Sequence, residues 1–239
     1  MRNRRNNAIL WIVLLVVMIA GIGLLGWQNL TYAKQNPGGN DFLVYWTSAR
    51  TFLMDGTNPY GAETTTRIQE LAYGGAARPD QPSLRMVYPL YSLALFFPFA
   101  LIPDFPTARA VYSTILELCL LLIAFFSVRL ARWRVPPLEL ILYLALILFG
   151  FHSIQPLLDG NVSILVALLI VSALLALKNG GDALAGILLA LSTIKPNVVV
   201  LLIAYLLIWS LLSGRRTLAS YFAGAVFLMT LAAMLLMPD

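Results

Sequence analysis

Charge is what this chain is short of. Asp, Glu, Lys and Arg together make up 11% of its 239 residues, against about one quarter in soluble domains. So few charges do not cover a water-facing surface, which excludes an ordinary soluble domain. Cysteine and histidine are scarcer still, with one of each, Cys119 and His152. A single cysteine closes no intrachain disulfide and supports no cysteine-based metal site, and a zinc site built from histidines is excluded as well. Sixteen Lys and Arg outnumber eleven acids for a net charge of +5. The basic residues stand in loops beside apolar runs, which is the pattern of membrane topology rather than nucleic-acid binding. No nucleic-acid partner is expected.

What the chain has in quantity is apolar sequence, 60% of the total, with a mean hydropathy of +0.82. The first run, Ala8 to Trp27, follows MRNRRNN. It is longer than a secretory h-region and has no small-x-small cleavage site, so it predicts an uncleaved helix with a cytoplasmic N-terminus. Further runs occupy residues 86–103, 109–130, 138–151, 161–177, 183–194, 197–212 and 218–237. The whole chain, 1–239, reads as one all-α polytopic membrane module. Its long polar stretch falls in a first loop, 31–108, with surface or re-entrant helices, one of them over Ser48 to Met54.

Parity orients the module. Arg2–Arg5, Arg129/Arg132/Arg134, Lys178 and Arg215/Arg216 all belong inside by the positive-inside rule. That holds if 86–103, with Pro89 and Pro98 within it, does not cross, which gives seven crossings. Eight crossings with Arg129–Arg134 outside is the alternative. The seven-crossing reading puts Asp159-Gly160-Asn161 and Lys195-Pro196-Asn197 on the same outer face as Asp41.

The first loop carries Asp41-Phe42, Tyr45, Ala49-Arg50, Gly56 and Asn58-Pro59-Tyr60. Tyr88-Pro89-Leu90 and Gly160-Asn161 follow, and then LAGILLALSTIKPNVVVLLIAYLL from Leu184 to Leu207. In this order and spacing, over nearly the whole chain, the sequence resembles the GT-C superfamily of membrane glycosyltransferases. Within it the likeness is to bacterial family 87 (DUF2029-type), which includes mycobacterial-type mannosyltransferases. The resemblance implies about seven transmembrane helices with juxtamembrane helices in the first extracytoplasmic loop. It also implies a plasma-membrane active site on the extracytoplasmic face. There a hexose, mannose first among the expectations, would pass from a polyprenyl-phosphate donor to a lipid-linked or glycan acceptor among membrane lipids. Relatives are usually longer, so the chain is expected to be truncated or to lack variable C-terminal helices. Relatives often have Tyr-Pro-Pro and Gly-Gln where this chain has Tyr88-Pro89-Leu90 and Gly160-Asn161.

The resemblance makes Asp41 the essential first-loop acid. As a general base it would take the acceptor hydroxyl's proton; it could also help hold a divalent cation, or simply cap a helix. Lys195 interrupts an apolar stretch, a costly place for an ammonium. It suits a donor phosphate, with a snorkelling lysine as the plain alternative. Arg50 binds phosphate or pairs with an acid, and Arg85 is a weaker case. Asp159 and Asn161 are donor-site candidates that also fit a turn or a helix start, and Asp55 sits in a turn context that accounts for it. Tyr60 and Tyr88, with Tyr45 and Trp46, stack on a sugar or form an interfacial belt. His152 is read as a surface residue. Asn29-Leu-Thr31 and Asn161-Val-Ser163 match the N-glycosylation pattern but hug helix ends. A transporter without chemistry and an inactive glycosyltransferase fragment are the rival readings.

Overall fold

The computed structural model describes residues 2–36 and 38–237. Met1, Pro37, Pro238 and Asp239 lie outside them, as do the side chains of the basic Arg2–Arg5 segment. Regular structure among the described residues is helical throughout. Helix α1 (Arg2–Gln35) continues beyond Trp27, because nothing between Gln28 and Gln35 breaks a helix before the Pro-Gly-Gly sequence of residues 37–39.

Helices α2 (Asn40–Asp55) and α3 (Ala62–Tyr73) follow. The helix expected over 48–54 is thus much longer, and it stops at Gly56, which takes a left-handed φ of 64°. Residues 86–103 do not form one helix. A 3-10 turn covers Leu90–Leu95 and a single α-turn, α4, covers Phe97–Ala100. Pro89 caps the first piece and Pro98 opens the second. At about 2.0 and 1.5 Å per residue the two pieces fall far short of a hydrocarbon core of about 30 Å.

The rest is a helical bundle: α5 (Phe105–Ala131), α6 (Pro137–Phe149), α7 (Phe151–Asp159), α8 (Ser163–Lys178), α9 (Asp182–Ser192), α10 (Pro196–Leu212) and α11 (Arg216–Leu236). Among the described residues four stretches are long and apolar enough to cross a membrane: Trp11–Gln35, Phe105–Ala131, Pro137–Asp159 and Arg216–Leu236. Helices α8, α9 and α10 are apolar but shorter. These helices mark a membrane-associated protein. Between the end of α1 at Gln35 and the start of α5 at Phe105 lie α2, α3 and the two short pieces of 86–103.

Helix α5 packs on α1 and α8, and α9 on α8 and α11. Gly186 permits the last contact, because a Cβ there would meet the Leu218 carbonyl and the Phe222 backbone; small residues serve such close approaches in membrane helices. One end of the bundle is basic. Lys178 Nζ donates to the Arg129 and Leu130 carbonyls at 3.0 and 2.6 Å, closing the last turn of α5. Arg215 pairs with Asp182 and donates to the Leu177 carbonyl at 3.1 Å.

At the opposite end, α2 packs on α4 and α5 through an aromatic core. Phe42 stacks on Tyr112 with centroids 4.5 Å apart, and Tyr45 stacks on Phe96 at 4.4 Å. Each such buried ring contributes roughly 1.5–3 kcal/mol by area alone. This packing fixes where the first turn of α2 sits.

Candidate active site

Gly39 starts the site. It precedes α2 with φ 73°, a left-handed conformation that costs glycine little. The turn sets Asp41 in the first turn of the helix rather than at its cap, where the positive end of the helix dipole favours a carboxylate. Asp41 Oδ2 accepts from Asn161 Nδ2 at 2.5 Å. Asn161 follows Gly160, which ends α7 with φ 67°. Gly160 packs so closely on Phe42 that a Cβ at 160 would collide with it.

The other side of the Asn161 amide is equally engaged. Its Oδ1 accepts from the Ser163 backbone N–H at 2.9 Å and the Ser163 hydroxyl at 2.6 Å, and from Lys195 Nζ at 2.7 Å. Lys195 also donates to Ser163 Oγ at 2.8 Å. Only 9% of Lys195 is exposed, and its ammonium lies 6.0 Å from the Tyr88 ring centroid. Lys195, Asn161 and Asp41, from three separate segments, therefore form one hydrogen-bonded line. Lys195 hangs from the α9–α10 junction. Tyr91 braces that junction through its hydroxyl, at 2.9 Å from Thr193 Oγ1.

Two tyrosines complete the wall. Tyr60 donates to the Tyr88 carbonyl at 2.6 Å, and Tyr45 lies beside the Tyr88 ring with centroids 5.5 Å apart. Burial foremost, then Tyr88 and the nearby Asp41 charge, pushes the Tyr45 phenol well above its ordinary value. It stays a neutral hydroxyl. Burial and Tyr91 push Tyr60 in the same direction. Asp159 lies close enough for the charges of Asp41 and Arg109 to act on it.

Arg109 is the residue that sequence reasoning missed. It is 5% exposed, in the first turns of α5. Its guanidinium donates to the Asn36 and Leu158 carbonyls at 2.8 and 3.0 Å. It lies against Gly39 so tightly that a Cβ there would come within 2.6 Å of Nε. One side chain thus clamps the backbone leading into Asp41 and the backbone leading into Asp159–Asn161. The only signal in the sequence is a basic residue just inside the apolar run, in Pro106-Thr107-Ala108-Arg109, where charges at helix ends are commonplace.

Other expected residues go elsewhere. Arg50 donates to the Ala100 carbonyl at 2.6 Å and lies over Trp46, while Trp46 Nε1 donates to the Phe99 and Ile102 carbonyls at 3.1 and 3.2 Å. Both satisfy carbonyls that a one-turn helix leaves open. Asp55 pairs with Arg67 at 2.8 Å on the surface. Arg85 and His152 are exposed. Both N-glycosylation matches are engaged internally, since Asn29 donates to Thr114 Oγ1 and Glu117 Oε2 at 3.0 and 2.9 Å.

Among the described residues no three His, Cys, Asp or Glu side chains converge. Asp41, with Asp159 near it, supplies the kind of one- or two-carboxylate site that Mg²⁺ shares with substrate phosphates, rather than an all-protein cage. Such an ion would add charge neutralisation beside the leaving phosphate. The residues themselves offer a carboxylate to take a proton, an ammonium to meet an anion and aromatic rings to face a sugar.

No curated protein and no solved structure matches this chain. The family model for glycosyltransferase family 87 matches residues 86–239. Tyr88, Asn161 and Lys195 lie within the match and Asp41 lies before it. Because the match covers well over half of the sequence, the chain belongs to glycosyltransferase family 87.

Proposed function

We propose that the chain is a GT-C-like transferase that moves a hexose, mannose first among candidates, from a polyprenyl-phosphate donor to a lipid-linked or glycan acceptor. The observation that carries this reading is the line Lys195–Asn161–Asp41. It sets a buried cation and a carboxylate on opposite sides of one amide, as a reaction between an anionic leaving group and a hydroxyl requires. An acceptor oxygen attacks the anomeric carbon and its proton passes to Asp41. The bond from that carbon to the phosphate oxygen breaks, and polyprenyl phosphate leaves against Lys195. Direct displacement inverts the anomeric centre.

Asn161 holds Asp41 by Oδ2, which leaves Oδ1 to accept from the incoming hydroxyl. Tyr60 and Tyr88 face the sugar, with the buried Tyr45 behind Tyr88. An apolar cavity of about 360 Å³, lined by Leu90, Tyr91, Leu169, Ile194 and Ala233 among others, begins one residue from Lys195. It suits the first isoprene units of the donor. Counting α1, α5, α6–α7, α8, α9, α10 and α11, with the 11-residue α9 crossing together with its flanking turns, gives seven crossings in the plasma membrane. The basic end of the bundle then lies in the cytoplasm with the N-terminus, and Asp41 on the extracytoplasmic side. Helix α8, 16 residues long or about 24 Å, separates the two ends.

The test is sugar transfer from labelled polyprenyl-phosphate hexoses by membranes holding the chain, with Asp41→Asn alongside. Loss of a general base lowers the rate by about 10²- to 10⁴-fold, with protein level unchanged. Undiminished transfer by the variant would overturn the assignment of Asp41. A folded wild-type chain inactive with every donor would favour the transporter or inactive-fragment readings.

A further inference from the structure

A second recess, built from other helices, backs onto the chain segment that leads into the same centre. Between α1, α5 and α7 lies a cavity of about 370 Å³, lined by Gln28, Asn29, Tyr32, Arg109, Ser113 and Glu117 and backed by Leu157 and Leu158. Small-molecule sites span about 300–1,000 Å³. Polar side chains inside apolar helices are costly and mark functional positions. One bridging pair, Asn29 with Glu117 at 2.9 Å, would be enough to hold α1 to α5. Gln28 and Ser113 add donors and acceptors that this pair does not use.

The order of charge narrows the occupant. Arg109 lies near the end of the bundle, and Glu117 lies eight residues, about 12 Å, deeper along α5. A phospholipid with an amine head carries its amine toward water and its phosphate on the tail side, so each charge would meet its like, the amine at Arg109 and the phosphate at Glu117. An anionic head would bring its charge toward Glu117, while Arg109 already donates to the Asn36 and Leu158 carbonyls. Uncharged hydroxyls meet neither conflict, since they donate to Glu117 and accept from Gln28. The back wall then runs from Leu158 directly into Asp159, Gly160 and Asn161, which holds Asp41.

We infer that this recess receives the uncharged, hydroxyl-rich head group of a membrane lipid and seats the acceptor of the transfer reaction. Its identity as the acceptor seat rests on the proposed transfer; its occupancy by such a head group does not. Donor and acceptor would then approach Asp41 from different helices, the donor along the apolar cavity and the acceptor through the recess.

The experiment is photolabelling of the full chain in phosphatidylcholine nanodiscs with a diazirine-bearing octyl glucoside, mapped by mass spectrometry. Adducts are expected on Gln28–Ala33 and Arg109–Glu117. Octyl glucoside should compete for them and dihexanoyl phosphatidylethanolamine should not. Ser113→Trp and, at an exposed position, Gln28→Trp each fill the recess and should cut labelling about tenfold. Equal labelling of the lipid-facing sides of α10 and α11, competition by the phosphatidylethanolamine, or indifference to both tryptophans would overturn the inference. Labelling needs no catalysis, so the two readings fail separately. A labelled recess in a chain that transfers no sugar sinks the transfer reading alone. Transfer by a chain whose recess stays unlabelled sinks this one.

Discussion

The Asn161 side chain donates to Asp41 and accepts from Lys195. Replacing it by Asp removes the donor to Asp41 and sets a second carboxylate against it. The transfer rate is then expected to fall about tenfold or more, since a hydrogen bond to a charged group is worth about 1.5–3 kcal/mol, visible in a rate comparison of Asn161→Asp against wild type. Lys195→Met removes the ammonium from its place between Asn161 and Ser163. The donor KM should rise about tenfold or more, as loss of a charged hydrogen bond costs about 1.5–3 kcal/mol, with the acceptor KM less affected. Lys195→Arg is not expected to restore it, because a planar fork does not fit a place shaped for a compact ammonium. Lys195 was legible in the sequence because a charge within apolar sequence stands out, and Asp41 because it follows the first membrane run. Arg50 looked equally chemical, yet it satisfies the Ala100 carbonyl. Arg109 looked ordinary, yet it clamps the site. Composition identifies a charged residue but not its partner when that partner is a backbone carbonyl dozens of residues away.

Among the elements, the joints matter more than the helices. Each apolar run became helix, apart from 86–103 and with α1 reaching eight residues past Trp27, because hydrophobic burial and internal hydrogen bonding leave few alternatives inside a membrane. The joints were less legible. The Gly160 turn depends on its contact with Phe42, 118 positions earlier, and nothing local signals that contact. Gly160→Ala forces a left-handed conformation costing roughly 1–2 kcal/mol and adds a collision with Phe42. A lower unfolding midpoint in detergent and reduced transfer are expected together. If midpoint and transfer are both unchanged, Gly160 is not what joins α7 to α2. The break at 86–103 was legible because Pro89 and Pro98 stand inside it. That break leaves the 3-10 turn beside the α9–α10 junction, where Tyr91 meets Thr193.

For the whole molecule, the proposed orientation makes a labelling prediction. Cys119 is the single cysteine and is buried, so a Cys119→Ala background carries new thiols cleanly. A cysteine at exposed Val87 should react with an impermeant maleimide on intact cells, and one at exposed Arg134 only after permeabilisation. The reverse pattern would put the site on the cytoplasmic face. The positive-inside rule makes such a prediction possible from sequence, whereas the gathering of Asp41, Asn161 and Lys195 needed three-dimensional packing. That gathering also has a timetable. Asn161 lies 120 residues after Asp41, and Lys195 a further 34. At about 5–20 residues per second, the ribosome delivers the lysine roughly eight to thirty seconds after the aspartate. For that interval the nascent chain already has an acid at the membrane surface but no partner line to hold it. Until Lys195 is made, the chain is a set of helices without the completed line from Asp41 through Asn161 to Lys195.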